Sequence, residues 1–287
     1  MSSVLLVVHE DRPEAVAQAD LLATSLMDDG HLVTRSDDAD FDSESVCGGF
    51  GEEASQPGAL DLVVSLGGDG SILRAVDLLD GRSVAVLGIN YGELGYLAAV
   101  EPDDAHAAVV RALAGEHDLQ ERMMLRVEVR SAGASASQLV AHALNEAVVE
   151  RSNGGQTIRV GVSLDGESFA SYVADGLIAA TPTGSTAYAF SARGPIVDPQ
   201  HRSIQLTPVS PHMLFDRTLV LDADTEVGLE VIGQRTAICT VDGRQVADLT
   251  AGDLVVCSAS DRVARLVTFG DRGLRRLLST RFGLADR

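Results

Sequence analysis

Short apolar runs alternate with amphipathic segments through the first third of the chain. Residues 4–8 and 62–66 are nearly continuous runs of Val and Leu, a pattern typical of strands that are buried on both faces. Residues 71–79, and a segment that begins near Pro13, instead carry apolar side chains at helical spacing. Strands that alternate with helices in this way predict a parallel sheet covered by helices.

The pattern changes from Met123 onward, where apolar segments become short and turn signals separate many of them. Asp165-Gly166 and Asp242-Gly243 are dipeptides that favour tight hairpin turns. This part of the chain is therefore predicted to be mostly β, with strands at residues 125–130, 138–144, 157–164, 168–173, 177–180, 219–221, 227–232, 236–241 and 253–258.

The expected fold is an α/β N-terminal domain with a Rossmann-like parallel sheet, followed by an all-β C-terminal domain. We place the boundary near residues 115–122, which gives a nucleotide-binding domain at 1–118 and a β domain at 119–262. Residues 263–287 predict a strand and an amphipathic helix that packs back on the first domain. Residues 37–57 are acidic and glycine-rich and predict a surface loop, with a lid over the substrate as the alternative.

Composition and charge exclude several classes of partner. The net charge is -20, aromatic residues make up 4% of the chain and Trp is absent, which argues against nucleic-acid binding. No apolar run approaches the length that spans a membrane. The three cysteines, Cys47, Cys239 and Cys257, show no paired spacing, so we expect a reducing, cytoplasmic location.

Lysine is absent, and all 22 basic residues are Arg. This excludes a Walker-A loop, a protein-kinase lysine and a Schiff-base enzyme, because each of them requires an ammonium group. Any group that stabilises a phosphate in this protein must be an Arg, a metal ion or the backbone.

Gly67-Gly68-Asp69-Gly70-Ser71 lies between the predicted strand 62–66 and the predicted helix 71–79. Glycines at this turn permit positive φ and close approach of a ligand, and the first N–H groups of the helix point outward, which favours phosphate binding. A carboxylate at this place repels phosphate unless it serves a hydroxyl group or a metal ion, so Asp69 suggests phosphoryl transfer. Asp69 could equally cap the helix, and the five residues alone leave both roles open.

Three further stretches carry candidate chemistry. Residues 90–96 form a glycine-bearing loop after the predicted strand 83–88, at the sheet edge where ligands collect in α/β folds. Asn145-Glu146 offers an amide for a purine edge and a carboxylate for hydroxyls, with a β-bulge or strand end as the alternative. Residues 181–191 contain more small polar residues than a turn and a helix cap require.

Together these pieces resemble the NAD kinase family. The matching segments are 67–71, 90–96, Asn145-Glu146, Asp175-Gly176, 181–191 and 194–197. The glycine motif is shared with diacylglycerol and sphingosine kinases and with phosphofructokinases, whereas residues 181–188 are specific to NAD kinases. The resemblance implies transfer of the γ-phosphoryl group of ATP, or of a polyphosphate, to the 2′-hydroxyl of the adenosine ribose of NAD, with Mg²⁺ on the donor phosphates.

The resemblance also implies roles for individual residues. Asp69 would be the catalytic acceptor of the hydroxyl proton, a weak base whose position matters more than its basicity. Asn145 and Glu146 would bind the adenylate part of NAD, and Asp175 its nicotinamide end. The dinucleotide would be wrapped by Thr186, Ala187, Tyr188, Ala189, Phe190 and Ser191.

The donor phosphates are expected at Gly68 and Gly70. Arg74 lies four residues after Gly70, one helical turn along the same face, so it could reach a phosphate; an exposed surface Arg is the alternative. The residues suggest no ligand set for a metal held by the protein itself.

Three residues depart from the family pattern. Ser71 stands where Thr is usual, which keeps the hydroxyl group, and Arg193 replaces a usual Gly, where it could strain the backbone or contact a phosphate. Arg244 stands where many members carry Gln, in a hairpin turn with a possible substrate contact. Two other functions stay open. A lipid or sugar kinase would share Asp69 but have no use for residues 175–191, and a non-catalytic NAD(P)-binding regulator, favoured by Arg193, would lack turnover. We expect no nucleic-acid or membrane partner and a homo-oligomer, either a dimer or a tetramer.

Overall fold

The computed structural model describes residues 1–36, 60–92, 95–98, 100–134, 136–270 and 274–283. The loop expected at 37–57 lies outside this description, as does Cys47. The chain forms two compact units, one of Met1–Glu121 with Ala264–Arg287 and one of Arg122–Val263. The chain passes from one unit to the other within two long strands.

The first unit has the alternating order that the apolar pattern predicts. Its elements are β1 (Ser3–Val8), α1 (Pro13–Asp28), β2 (Leu32–Ser36), β3 (Leu62–Gly67), α2 (Asp69–Leu79), β4 (Ala85–Asn90), a 3₁₀ turn (Pro102–Asp104) and α3 (Ala105–Leu113). The strands pair in parallel in the order β2, β1, β3, β4. Every residue of β1 and β3 is buried, as expected for central strands of a sheet with helices on its faces.

The second unit is built almost entirely of antiparallel strands. Their bounds are β5 (Asp118–Arg130), β6 (Leu139–Ala143), β7 (Glu146–Arg151), β8 (Ile158–Leu164), β9 (Glu167–Ala174), β10 (Gly176–Ala180), β11 (Ser203–Val209), β12 (Leu219–Asp222), β13 (Val227–Val231), β14 (Ala237–Val241), β15 (Arg244–Leu249) and β16 (Leu254–Thr268). A second 3₁₀ turn (Gly184–Thr186) and the one-turn helix α4 (Tyr188–Ser191) interrupt the strands.

Six of these strands form one sheet in the order β12, β11, β10, β7, β14, β15. Strand β13 pairs with both β16 and β8, β8 pairs with β9, and β5 pairs with β6. One apolar core, which includes Leu125, Val149, Tyr172, Leu206 and Val255, fills the unit. The expected fold class, an α/β part followed by a β-rich part, is confirmed.

The C-terminal segment returns to the first unit, as expected. Arg265 and Leu266 of β16 pair in parallel with Ala85 and Val86 of β4, and helix α5 (Leu274–Phe282) follows. The Arg281 guanidinium lies 4.5 Å from the centroid of the Tyr96 ring, a cation–π geometry. The prediction was incomplete in one respect, because 253–258 and the strand expected after residue 263 are parts of one strand.

Strands β7, β11 and β15 were not predicted. Each contains polar residues at positions that the sheet nevertheless buries or pairs, so the apolar pattern did not reveal them. Among the described residues, no helix combines the length and the apolar character needed to cross a membrane.

Candidate active site

Asp69 is the first residue of α2, and its side chain does not cap that helix. Gly68 occupies the N-cap position with extended φ and ψ of -97° and -165°, and no side chain hydrogen-bonds the helix start. Instead, Asp69 Oδ2 accepts a hydrogen bond from the Tyr96 N–H at 2.8 Å, and Oδ1 accepts one from the Leu97 N–H at 3.0 Å. The capping role considered for Asp69 is therefore wrong, and its carboxylate is fixed by a loop that follows β4.

Glycine is required at residue 95 by this arrangement. A β-carbon on Gly95 would clash with Asp69 Oδ1 and approach its carboxyl carbon to 2.7 Å. The backbone of the loop can therefore reach the carboxylate only because residue 95 has no side chain. The Gly95 contact and the two amide donors were not predicted, since they join residues that are far apart in the sequence.

The three glycines around Asp69 differ in what a side chain at each position would contact. A β-carbon on Gly67 would clash with the Ser71 hydroxyl, whereas one on Gly68 or Gly70 would have no protein atom within 4 Å. None of the three has positive φ, so that part of the expectation is wrong. Gly68 and Gly70 leave open space beside Asp69, which is the property that a bound phosphate needs.

Arg74 is half-buried on α2, so it does not stand on a fully exposed helix face. A second guanidinium, that of Arg12, donates a hydrogen bond to the Tyr91 carbonyl oxygen at the end of β4. The Tyr91 N–H in turn donates to the Gly67 carbonyl oxygen at 2.9 Å. These bonds fix the loops after β1, β3 and β4 at one edge of the parallel sheet.

In the second unit, Asn145 lies between β6 and β7 and Glu146 begins β7, and the side chain of Asp242 positions their backbone. Asp242 accepts hydrogen bonds from the N–H groups of Leu144 at 2.7 Å, Asn145 at 2.8 Å and Glu146 at 3.1 Å. Asp242 and Gly243 have φ of 47° and 81°, as in the tight turn predicted between β14 and β15. The sequence indicated that turn but not the position of its carboxylate.

Residues 181–191 pack directly on Asn145 and Glu146. The Thr181 N–H donates to the Asn145 carbonyl oxygen at 2.8 Å, and Thr181 Oγ1 donates to the Leu144 carbonyl oxygen at 2.6 Å. A β-carbon on Gly184 would clash with the Asn145 carbonyl group. Two of the segments that the sequence singled out therefore lie together.

The backbone donors of this segment are less available than expected. The N–H groups of Ala187 and Ser191 donate to the carbonyl oxygens of Gly184 and Ala187, and the Tyr188 N–H faces the Glu146 carboxyl group. Thr186 Oγ1 donates to the Thr183 carbonyl oxygen at 3.2 Å.

The side chains of this segment point in different directions. Ala189 is fully buried against Val148, Ile178 and Ala180, whereas Tyr188 and Phe190 are each 37% exposed, and Ser191 is exposed. The two rings and the Ser191 hydroxyl are therefore the most exposed side chains of the segment, and Thr186 and Ala187 are half-buried.

Asp175 belongs to the same neighbourhood. Its Oδ1 lies 3.1 Å from Arg151 Nη1. The pKa of the Tyr188 phenol is raised, first by burial and then by the negative charges of Glu150 and Asp175. Tyr188 thus lies near both Glu146 and Asp175, whereas along β10 Glu146 pairs with Ala180 at one end and Asp175 precedes Gly176 at the other.

Arg193 adopts the backbone conformation for which glycine is suited. Its φ is 67°; the Arg193 N–H donates to the Phe190 carbonyl oxygen at 2.9 Å and the Gly194 N–H to that of Ala189 at 2.8 Å. This pair of bonds is the Schellman motif that ends a helix. The Arg at this position keeps the turn, at the cost of a left-handed conformation. Arg244 begins β15 and is exposed.

Glu146 has the most altered acidity of these residues. It is 7% exposed, and its pKa is raised to about 8 by burial and by the charge of Asp242, against the Tyr188 N–H, which lowers it. Its Oε2 has no hydrogen-bond partner within the described part of the chain.

Comparison with protein families gives two matches. Residues 51–117 match the model described as the ATP-NAD kinase N-terminal domain, and residues 144–269 match the ATP-NAD kinase C-terminal domain. Between them the two matches include Asp69, Asn145, Glu146 and residues 175–191.

Curated relatives match over nearly the full chain. An NAD kinase from Heliobacterium modesticaldum is 38% identical over 283 residues, covering 97% of each chain. An NAD kinase from Leifsonia xyli is 42% identical over 229 residues, covering 77% of this chain and 74% of the relative.

Two solved structures share the fold. An NAD kinase from Archaeoglobus fulgidus in complex with ATP is 25% identical, with a TM-score of 0.72 and coverage of 98% of this chain and 97% of that chain. Yeast NADH kinase in complex with NADH is 24% identical, with a TM-score of 0.87 and coverage of 100% and 89%.

Proposed function

The chain belongs to the NAD kinase family, and from this premise we propose how its residues carry out the reaction. The enzyme is an ATP-dependent NAD kinase, which transfers the γ-phosphoryl group of ATP to the 2′-hydroxyl of the adenosine ribose of NAD and gives NADP. The α/β segment 1–118, with 263–287, is assigned to the phosphoryl donor, and the β segment 119–262 to NAD.

The observation that carries the assignment of Asp69 is the pair of amide hydrogen bonds to its two carboxylate oxygens. A carboxylate at the start of α2 would ordinarily be free to rotate, but two donors on different oxygens fix the plane of this one. Asp69 accepts the proton of the 2′-hydroxyl as the oxygen attacks the γ-phosphorus. Because phosphoryl transfer is loose, the proton leaves late and a well-placed weak base suffices.

The donor phosphates are assigned to the open space beside Gly68 and Gly70, where a β-carbon would meet no protein atom. N–H groups in the first turn of α2 favour negative charge. Arg74, half-buried one turn further along α2, is the cation assigned to the phosphates. In a chain without Lys, a planar guanidinium contacts phosphate oxygens through two N–H groups rather than as a point charge.

Magnesium enters as part of the MgATP substrate. The described residues bring together no group of three or more His, Cys, Asp or Glu side chains that could hold a metal ion. Phosphate oxygens are the usual ligands of Mg²⁺ in such sites, and the ion neutralises charge that develops on them.

NAD is assigned to the residues that the second unit brings together. The Asn145 amide, with one acceptor and two donors, suits the adenine edge, and Glu146 lies next to it for the ribose. Tyr188 offers an exposed ring and Asp175 a carboxylate for the nicotinamide end. The buried Ala189 contributes packing that places Tyr188 and Phe190, rather than a contact with NAD.

The proposal also covers the location, the number of subunits and the phosphoryl donor. The protein is a cytoplasmic homo-oligomer, a dimer or a tetramer, and polyphosphate is a second possible donor. Cys239 and Cys257 are free and buried, in agreement with a reducing compartment. Light scattering of the purified protein measures the number of subunits.

The test is direct. Purified protein is incubated with MgATP and NAD, and the product is detected with an NADP-specific dehydrogenase, with diacylglycerol and a sugar as parallel acceptors. NADP is expected with NAD, and no phosphorylation of the other two. Phosphorylation of the lipid or the sugar, or no NADP with ATP or polyphosphate, would overturn the proposal.

A further inference from the structure

Glu146 has a buried oxygen that the protein leaves without a hydrogen bond. The residue is 7% exposed and begins β7. The Tyr188 N–H faces its carboxyl group, and Oε2 has no hydrogen-bond partner among the residues that the structure describes. A buried polar atom without a partner is unfavourable, so Oε2 is an atom that a ligand or a water molecule must satisfy.

Asp242 is the neighbour that decides the charge of Glu146. The Asp242 N–H donates to the Glu146 carbonyl oxygen at 3.0 Å, so the two residues lie opposite each other where β7 and β14 pair. Three backbone N–H groups donate to the Asp242 carboxylate. Donors on this scale stabilise the ionised form, so Asp242 keeps its negative charge.

In the part of the chain that the structure describes, Asp242 is the charged group that acts on Glu146. In the adjacent strand β10 the residue paired with Glu146 is Ala180, and the next in the row, on β11, is the uncharged Gln205. From α4 the Tyr188 N–H and phenol face Glu146, and from the turn between β14 and β15 Asp242 does so. Burial and the Asp242 charge together raise the pKa of Glu146 to about 8, so the neutral form dominates at pH 7.

We infer that ionised Asp242 keeps Glu146 as a neutral carboxylic acid, whose O–H donates a hydrogen bond to an oxygen of the bound dinucleotide. The inference rests on the proposed function, because it takes NAD as the ligand of this site. The proton is assigned to Oε2, the buried oxygen that has no hydrogen-bond partner within the described residues. The recipient is a ribose or diphosphate oxygen, since both offer lone pairs.

Glu146 and Asp69 therefore differ in protonation state and in role. Asp69 is a carboxylate that accepts a proton, whereas Glu146 is an acid that keeps its proton throughout the reaction. Asp242 acts through Glu146 and through the backbone of residues 144–146, so it is a positioning residue. If Glu146 were instead a second base for the ribose hydroxyl, it would need to lose its proton, and turnover would increase with pH.

The experiment measures the Kd of NAD by calorimetry, and the KM of NAD and kcat with saturating MgATP, between pH 6 and 9.5. For the wild type we expect the Kd to rise about tenfold from pH 7 to pH 9, because the protonated fraction of a group that titrates near 8 falls by about that factor. Asp242→Asn removes the charge and should move the rise at least one pH unit lower. Glu146→Gln cannot lose a proton, so its Kd should not rise with pH.

The matched control is Asp165→Asn. Asp165 also precedes a glycine in a tight turn with positive φ, and its Oδ1 accepts a backbone hydrogen bond from Glu226 at 2.9 Å. This variant should keep the wild-type pH profile. Circular dichroism and the thermal midpoint identify a variant that does not fold, in which case the comparison of wild type with Glu146→Gln carries the test.

The possible results are distinct. A wild-type Kd that does not change with pH, an unshifted profile in a folded Asp242→Asn, or a kcat that increases through pH 8 with constant Kd would each overturn the inference while NADP is still formed. If no NADP is formed at any pH, the proposed function has failed instead.

Discussion

Gly95 packs against the carboxylate of Asp69 so closely that a β-carbon on Gly95 would clash with Oδ1. The next two residues donate the amide hydrogen bonds that fix this carboxylate. The loop after β4 therefore fixes the position of the Asp69 carboxylate, which is the proposed catalytic base.

Gly95→Ala should displace the Asp69 carboxylate and weaken its two amide hydrogen bonds. A displacement of about 1 Å at a reacting group costs about 100-fold in rate, so we expect kcat to fall by that order while the Kd of NAD changes less than about twofold. Gly92→Ala, in the same loop, should cost less, because its β-carbon would meet only the flexible Arg12 guanidinium at 3.3 Å. An equal fall of kcat in both variants would contradict the proposal that Gly95 is needed to place the Asp69 carboxylate.

Asp69→Asn removes the proposed base with little change of shape. Loss of a general base lowers the rate by about 100-fold to 10,000-fold, and calorimetry should show NAD binding that is nearly unchanged. Asn can accept only one of the two amide hydrogen bonds that hold the Asp69 carboxylate, so the thermal midpoint should fall by about 2–4 °C. Asp77→Asn, on the exposed face of the same helix, is the control, and wild-type turnover in Asp69→Asn would exclude the proposed role.

Gly70→Ala tests whether the open space beside Asp69 serves the donor phosphates. The β-carbon would have no protein atom within 4 Å, and Ala is the better helix former, so the fold should be as stable as the wild type or slightly more so. The KM of ATP should rise at least tenfold, because the methyl group occupies space assigned to phosphate. Gly154→Ala, where the β-carbon also meets no atom within 4 Å, should leave the KM unchanged.

Arg193→Gly should stabilise the protein. Relief of a left-handed non-glycine conformation is worth about 1 kcal/mol, which corresponds to a rise of about 2 °C in the thermal midpoint for a protein of this size. NAD affinity should not change, because the turn keeps its geometry. A fall in the midpoint, or a loss of NAD affinity, would show that the Arg193 side chain makes a contact of its own.

Acid should weaken the second unit through Glu128. Hydrogen bonds from Ser137, Arg130 and Arg126 lower its pKa from 4.5 to about 2. A carboxyl group with a lowered pKa in the folded state stabilises the fold above its unfolded pKa, and this contribution disappears as the pH falls from about 4.5 to about 2.

Glu128→Gln should therefore lose roughly 1–2 kcal/mol of unfolding free energy at pH 7 and much less at pH 3, in urea titrations at both values. Glu121→Gln is the control, since the Glu121 side chain is 59% exposed in its pair with Arg265 and such pairs contribute little. A difference between Glu128→Gln and wild type that is the same at both pH values would contradict the assignment.

The spacing of apolar residues predicted those strands and helices of the site in which apolar positions recur at a regular interval. The apolar run 62–66 and the glycines after it gave the turn into α2 within two residues. Strands β7 and β15 escaped prediction because polar residues such as Glu146 and Arg244 begin them. A strand of mixed polarity looks like a loop until its partners are known.

The contacts that give the site its chemistry join residues remote in the sequence, and no local pattern encodes them. Leu97 lies 28 residues from Asp69, and Asp242 lies 97 residues from Asn145. Resemblance to a family pointed to Asp69, Asn145 and Glu146, because their residue types recur in motifs. Gly95 and Asp242 were visible only as turn residues, since what distinguishes them is the group that each approaches in space.

The first unit is discontinuous in the chain, and its two pieces meet where the second unit is attached. Glu121 ends the first piece, and its carboxylate lies 3.1 Å from Nε of Arg265, at the start of the last piece. Strand pairing of Arg265 with Ala85 ties the same point to β4. The second unit is thus an insertion whose two ends lie side by side. A short splice between residues 121 and 264 would remove it without altering the sequence that positions Asp69.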